Sequence, residues 1–200
     1  MTGKGPDTPD RLKQVGEMLR AARRDRFTVE ELALESGVSS GFISQIERGK
    51  GNPSFATLQK LTRALGLSLA SIFSEPVSDA KMVVRRDERP RLVMPTDGLV
   101  YELLTPRSSG LAMVQTHVPA GFANEDDPFI HPGEECVHVA RGSLLVAVGD
   151  SRFDLNEGDT VRFDSGMPHW WRNSTKKTVI LIGAFTEAEH VTGGSALHGT

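Results

Sequence analysis

The sequence predicts an α + β chain of two domains, an N-terminal domain of five short helices and a C-terminal antiparallel β-barrel. Three observations carry this. Apolar residues recur at three- and four-residue spacing from Asp10 to about Phe73, and that period is lost after Arg91. Short apolar runs separated by turn signals then fill residues 91–187. Between the two lies a mixed, charged stretch, 75–90, which reads as a linker that turns into a strand.

Composition bounds the possibilities. The chain has 200 residues, 38% apolar and 24% charged, with a net charge of −3, an ordinary globular balance. No run of about 18 apolar residues suggests a membrane span, and MTGKGPDTPDR lacks the apolar core of a signal peptide. A single cysteine, Cys136, excludes an internal disulfide framework and fits a cytoplasmic protein. Residues 1–75 hold 11 Lys/Arg against 9 Asp/Glu, while residues 76–200 hold 12 against 17. A mildly basic first third and an acidic remainder suggest two modules with different partners.

The elements follow in order. Residues 1–9 are Gly/Pro/Asp/Thr-rich and read as disordered, so the helical domain spans 10–74. Leu12, Val15, Leu19 and Ala22 line one face of the first helix. Thr28 to Glu31 is a capping box that opens a second helix, stopped by Gly37. Ser39 caps a third, with Phe42, Ile43 and Ile46 facing inward and Gly49 at its end. Ser54 caps a fourth with the stripe Leu58, Leu61 and Leu65, stopped by Gly66, and Ser68 starts a fifth that ends near Phe73. In the second domain the runs LVYELL, LAMVQTHV, CVHVA, SLLVAV, TVRF and TVILIGAF read as strands, and closely spaced short strands make an antiparallel sandwich or barrel. Residues 188–200 read as a flexible tail.

The segment TVEELALESGVSSGFISQIERGKGNPS resembles the helix-turn-helix of the Xre/Cro-type repressors, in register over residues 11–73. Leu32-Ala33, Gly37-Val38, Ile43 to Glu47, Gly49-Lys50, Pro53-Ser54 and the Leu58/Leu61 pair carry the resemblance. It implies a third helix laid in the major groove of double-stranded DNA, with Ser40, Gly41, Ser44 and Gln45 toward base edges. Gln reads adenine with two hydrogen bonds, and Ser bonds to several bases. Thr28 and Ser39 offer hydroxyls and helix N-termini to phosphates, and Arg48 and Lys50 stand where the backbone could be contacted. One such module binds weakly, so a homodimer on a two-fold operator is expected.

Residues 111–185 resemble the cupin superfamily, a double-stranded β-helix, so the barrel domain is placed at 91–187. PAGFANEDDPFIHPGEECVHVARGSLLVAVGD matches its first motif and NEGDTVRFDSGMPHWWRN its second. In the family the two motifs supply three His and a Glu to a divalent metal. Carried over, His131, Glu135 and His169 stand at ligand positions, and Phe129 replaces the first His. Two His and a carboxylate suit Fe, Zn, Ni or Mn. The alternative is a metal-free pocket in which these groups bind a small polar effector directly. Strand alternation turns Val137 and Val139 the same way as Glu135, with Cys136 and His138 opposite. Trp171 then follows His169 inward and, with Phe122, Phe129 and Tyr101, walls the effector pocket, while Trp170 packs outside; Gln115 also lies on a strand that could reach it.

Together the two resemblances imply a DNA-binding transcriptional regulator, not an enzyme, whose cupin domain binds a small-molecule effector that changes operator affinity. The same layout also resembles the hydroxypropylphosphonate epoxidases, mononuclear non-haem iron enzymes using a His-Glu-His triad, in which the helical domain covers the active site. Against that reading, Tyr101 is the only Tyr, Arg26 stands near where a substrate-binding Lys is expected, and the DNA-reading helix is intact. A third reading is a binding cupin with a vestigial helical domain.

Overall fold

The computed structural model describes residues 8–67, 82–106 and 111–186. Among the described residues, four helices build the first domain: α1 (Thr8–Arg24), α2 (Val29–Ser36), α3 (Ser40–Glu47) and α4 (Phe55–Ala64). The fifth helix expected from Ser68 lies outside the described residues, as does the tail. Helix α1 begins at Thr8, two residues before the expected start, because a Pro at the first helical positions needs no N–H partner there.

The helix ends are set by side chains as the sequence suggests. Thr28 accepts the Glu31 N–H, while the Thr28 N–H and hydroxyl both donate to the Glu31 carboxylate and hold its carboxyl below the ordinary range. Ser39 and Ser54 accept the N–H groups of Phe42 and Thr57. Gly37 closes α2 at φ +70°, a left-handed geometry that glycine adopts without steric cost.

Leu12, Val15 and Leu19 of α1, Leu32 of α2, Ile43 and Ile46 of α3, and Leu58, Leu61 and Leu65 of α4 form the helical core. Helix α3 is held by two further devices. At Gly16 of α1 an added Cβ would stand 2.2 Å from the Ile46 carbonyl, so the helices meet backbone to backbone. Beside it, Arg23 of α1 grips Glu47 of α3 with Nε and Nη2 at 2.5 and 2.8 Å and donates Nη1 to the Phe27 carbonyl at 3.0 Å. This buried, two-pronged pair fixes orientation as well as distance.

Nine strands follow a 3-10 turn at Arg86–Glu88: β1 (Arg91–Val93), β2 (Val100–Leu103), β3 (Leu111–Val118), β4 (Glu134–Arg141), β5 (Ser143–Val148), β6 (Ser151–Asn156), β7 (Thr160–Asp164), β8 (His169–Arg172) and β9 (Val179–Thr186). Every pair is antiparallel, in a six-stranded sheet ordered β1-β2-β3-β9-β4-β7 and a three-stranded sheet ordered β6-β5-β8. Residues 122–131 cross the end of the smaller sheet, where Phe129 and His169 exchange N–H···O bonds of 2.8 and 3.0 Å. Strand β6 escaped the sequence reading because only Leu155 in it is buried.

Helix α4 is shared between the domains. The Phe55 ring stacks on Tyr101 of β2 with centroids 3.9 Å apart and planes 19° from parallel. It meets Phe129 edge-on at 5.8 Å. Around this contact Lys60 and Ser54 bond to Asp127, and the Thr96 hydroxyl donates to the Asn52 carbonyl. The Asp97 carboxylate accepts the N–H groups of Leu99 and Phe55, although burial pushes its carboxyl up.

The close approach at Gly16 gives a prediction. Gly16→Ala forces α1 from α3 and should cost about 1–3 kcal/mol, outweighing the ~1 kcal/mol gain in helix propensity. Thermal unfolding should show a Tm lowered by several degrees; an unchanged or raised Tm would contradict the contact.

Candidate functional site

The presumed reading helix is presented as its sequence suggests. Gly41, Gln45, Arg48 and Lys50 are exposed, and Ser40 and Ser44 are half-buried on the flank of that face. Nothing stands within 4 Å of a Cβ built at Gly41, so this face is open. Phe42, expected inward, is only half-buried, at the edge of the core. The hydroxyls of Thr28 and Ser39 are engaged in their caps, and Thr28 spends its proton on Glu31. Their exposed helix N-termini remain the groups an anion would meet. Sequence reasoning missed the Arg23–Glu47 grip, because the partners lie 24 residues apart and look like two ordinary surface charges.

The barrel brings the HPGEE stretch and the second cupin motif to one point. Alternation on β4 buries Glu135, Val137 and Val139 and leaves Cys136 and His138 half-exposed on the other face, as expected. Glu135 Oε2 lies 3.0 Å from His131 Nε2 and 3.4 Å from His169 Nε2. Burial opposes ionisation of Glu135, but the hydrogen bonds and charges of the two histidines outweigh it and hold the carboxyl down at about 2. Gly183 of β9 lies beside the carboxylate, where an added Cβ would make ordinary contact with Glu135 Oε1 at 3.6 Å.

Backbone geometry fixes each histidine. Gly133 has φ +109°, and a Cβ there would meet the Thr186 carbonyl at 2.2 Å, so only glycine turns the chain from His131 into β4. The turn is pinned by Ser165, fully buried, whose N–H and hydroxyl both reach the Gly133 carbonyl and whose own carbonyl accepts the His131 N–H. Nothing local in the sequence marks Ser165 for this task.

His169 is oriented by the Met167 carbonyl, 2.9 Å from its Nδ1. A carbonyl only accepts, so Nδ1 carries a proton; Nε2 then donates to the Glu135 carboxylate when it is protonated as well and offers a lone pair when it is not. The unprotonated Nε2 beside a carboxylate oxygen is an arrangement that a cation bridges, and a backbone carbonyl behind the imidazole is the usual support for a metal-bound His. One ligand atom from each of His131, Glu135 and His169 lies within 4.8 Å of the others. The donor set therefore fits a divalent metal, which would act as a Lewis acid and bind an oxygen ligand.

Tyr101, Phe129, His131, Glu135, His169 and Trp171, six of the seven expected effector residues, line one cavity. Phe122 does not. The Asn173 N–H binds its carbonyl, holding it beside β8, where it lines a neighbouring hollow with Asp97, Asp126 and Asp127. Gln115 faces away from the cavity and bonds to His117 and Glu102. Trp170 lies on the outer face of the smaller sheet, with the guanidiniums of Arg152 and Arg172 over its ring at 5.7 and 5.4 Å. Among the lining residues that were not anticipated, two come from the helical domain, Phe55 and Gln59 of α4.

Comparison with known proteins agrees with this architecture. Residues 19–72 match the helix-turn-helix family model and residues 114–185 the cupin domain model. The HTH-type transcriptional regulator PuuR of Escherichia coli (strain K12) is 28% identical over 177 residues, 86% of this chain and 94% of its own. The HTH-type transcriptional regulator SutR of the same strain is 28% identical over 164 residues, 80% of this chain and 88% of its own. The crystal structure of an HTH_3 family transcriptional regulator from Vibrio cholerae superposes with a TM-score of 0.73 at 24% identity, over 90% of this chain and 98% of that one, and so shares the fold. Hydroxypropylphosphonic acid epoxidase from S. wedmorenis, with a TM-score of 0.46 at 20% identity over 89% of this chain and 98% of its own, is too distant to bear on function.

Proposed function

We propose, for a chain whose two domains match the helix-turn-helix and cupin models, that it is a transcriptional regulator whose barrel senses a small molecule. The observation that carries this is the open face of α3, held rigid from behind by Arg23 and Gly16. The two regulators similar over four fifths or more of the chain support the same reading over that of an iron enzyme.

In this reading a homodimer lays its two α3 helices into successive major grooves of a two-fold operator. Ser40, Gly41, Ser44 and Gln45 read base edges, while Arg48, Lys50 and the N-termini at Thr28 and Ser39 meet phosphates. The cavity around Tyr101, Phe129 and Trp171 takes the effector, with His131, Glu135 and His169 holding a divalent metal that organises it. The effector acts by binding one arrangement of the dimer better than the other.

Selection from a random DNA pool should enrich a two-fold sequence with half-sites about one helical turn apart. Gln45→Ala should relax the preference at the bases it reads, by about 1–3 kcal/mol each. A wild-type protein that enriches no sequence would overturn the regulator reading. Elemental mass spectrometry of the purified protein should find near one divalent metal per chain, lost in His131→Ala. Absence of metal from the wild type would leave the three side chains as direct hydrogen-bonding partners of the effector.

A further inference from the structure

The cavity that holds the His-Glu-His group is not closed by the barrel alone. Phe55 and Gln59, four residues apart and so on one face of α4, complete its wall from the helix-turn-helix domain. Both are buried, Phe55 at 5% and Gln59 at 4% exposure. The cavity is partly open, and its water-sized space is about 30 Å³, room for about two water molecules. No metabolite of several heavy atoms fits there while the Phe55 ring lies on Tyr101.

The lining is nevertheless unsatisfied. Among the described residues, four buried side-chain polar atoms have no hydrogen-bond partner, and three belong to this cavity: Gln59 Oε1, Tyr101 OH and Trp171 Nε1. Each such atom costs free energy that a partner would recover. Their chemistry defines that partner. The indole N–H only donates, so it requires an accepting oxygen; the carboxamide oxygen only accepts, so it requires an N–H or O–H; the phenol serves either. Burial and the charges of Asp97 and Glu135 keep the Tyr101 hydroxyl protonated.

We propose that Phe55 is a removable plug. A polar molecule carrying both an accepting oxygen and an N–H or O–H donor occupies the cavity by taking the place of the Phe55 ring, so its binding and the docking of α4 on the barrel exclude each other. This rests on the reading of the protein as an effector-responsive regulator and names the element through which the effector acts. Helix α4 belongs to the same core as α3 and packs on α2, which in turn packs on α3, so displacing α4 repositions the whole DNA-reading domain relative to the barrel. The contacts around the plug are weak enough to release, since Lys60 and Asp127 are each about two-fifths exposed.

The test uses the full chain as wild type, Phe55→Ala and Lys60→Ala, the last cutting only the exposed ion pair. Domain tumbling is read by ¹⁵N relaxation and the cavity by the Trp171 indole N–H resonance, with phenol as probe because it has the ring of Phe55 and a hydroxyl for the orphaned atoms. Wild type and Lys60→Ala should tumble as one body without phenol, and phenol should shift their indole resonance only together with a loss of common tumbling; a shift with common tumbling kept would overturn the plug. Phe55→Ala should tumble as two bodies, and phenol should shift its indole resonance and restore common tumbling. A wild type already tumbling as two bodies, or a Phe55→Ala that remains one body and ignores phenol, would overturn the plug. Should Phe55→Ala fail to fold, Phe55→Leu answers the same question. On the selected operator, Phe55→Ala should change affinity at least about fivefold relative to Lys60→Ala. An unchanged affinity would overturn the coupling, whereas a wild type that selects no DNA removes the regulator reading and leaves the tumbling result to decide the plug.

Discussion

The stack of Phe55 on Tyr101 is the contact on which the arrangement of this molecule turns. It is a near-parallel pair of buried rings, one from each domain, 3.9 Å apart. Aromatic pairs add about 0.5–1.5 kcal/mol beyond the area they bury, comparable to a typical coupling between ligand sites. The polar contacts around it, from Ser54, Lys60, Asn52 and Asp97, orient α4 without adding comparable apolar burial. A junction of that strength holds two domains together and still yields to a ligand.

Each domain adds one buried charge arrangement with a distinct task. In the helical domain Arg23 and Glu47 neutralise one another, so α3 can be short, eight residues, and still present a rigid face. In the barrel Glu135 has no comparable permanent partner. Its carboxylate faces two imidazoles, one of them with its far nitrogen committed to the Met167 carbonyl. The first arrangement is closed and structural. The second gathers donor atoms that a cation can bridge in place of protons, which is the property of a binding site.

Much of this was legible in the sequence because it depends on local rules. Caps at Thr28, Ser39 and Ser54, the stop at Gly37, and the alternation that buries Glu135 and exposes His138 follow from neighbours a few residues away. The convergence of His131, Glu135 and His169 followed from two short motifs. What was hidden depends on pairs far apart in the chain. Phe55 and Gln59 look like the start of an ordinary core stripe, and nothing near them announces a barrel 46 residues on from Phe55 at Tyr101. Phe122 was misplaced because its burial is legible but the direction of the crossing segment, set by Asn173, is not. Ser165 looked like one residue of a turn until it proved to pin Gly133.

The central claim is that the Phe55–Tyr101 ring pair is an energetic link between the two domains, and a double-mutant cycle tests it most directly. Unfolding free energies of the full chain would be measured for wild type, Phe55→Ala, Tyr101→Ala and the double variant. The account predicts a coupling of about 0.5–1.5 kcal/mol between the two positions. A coupling indistinguishable from zero would mean that the rings do not meet in solution and that α4 carries no message from the barrel.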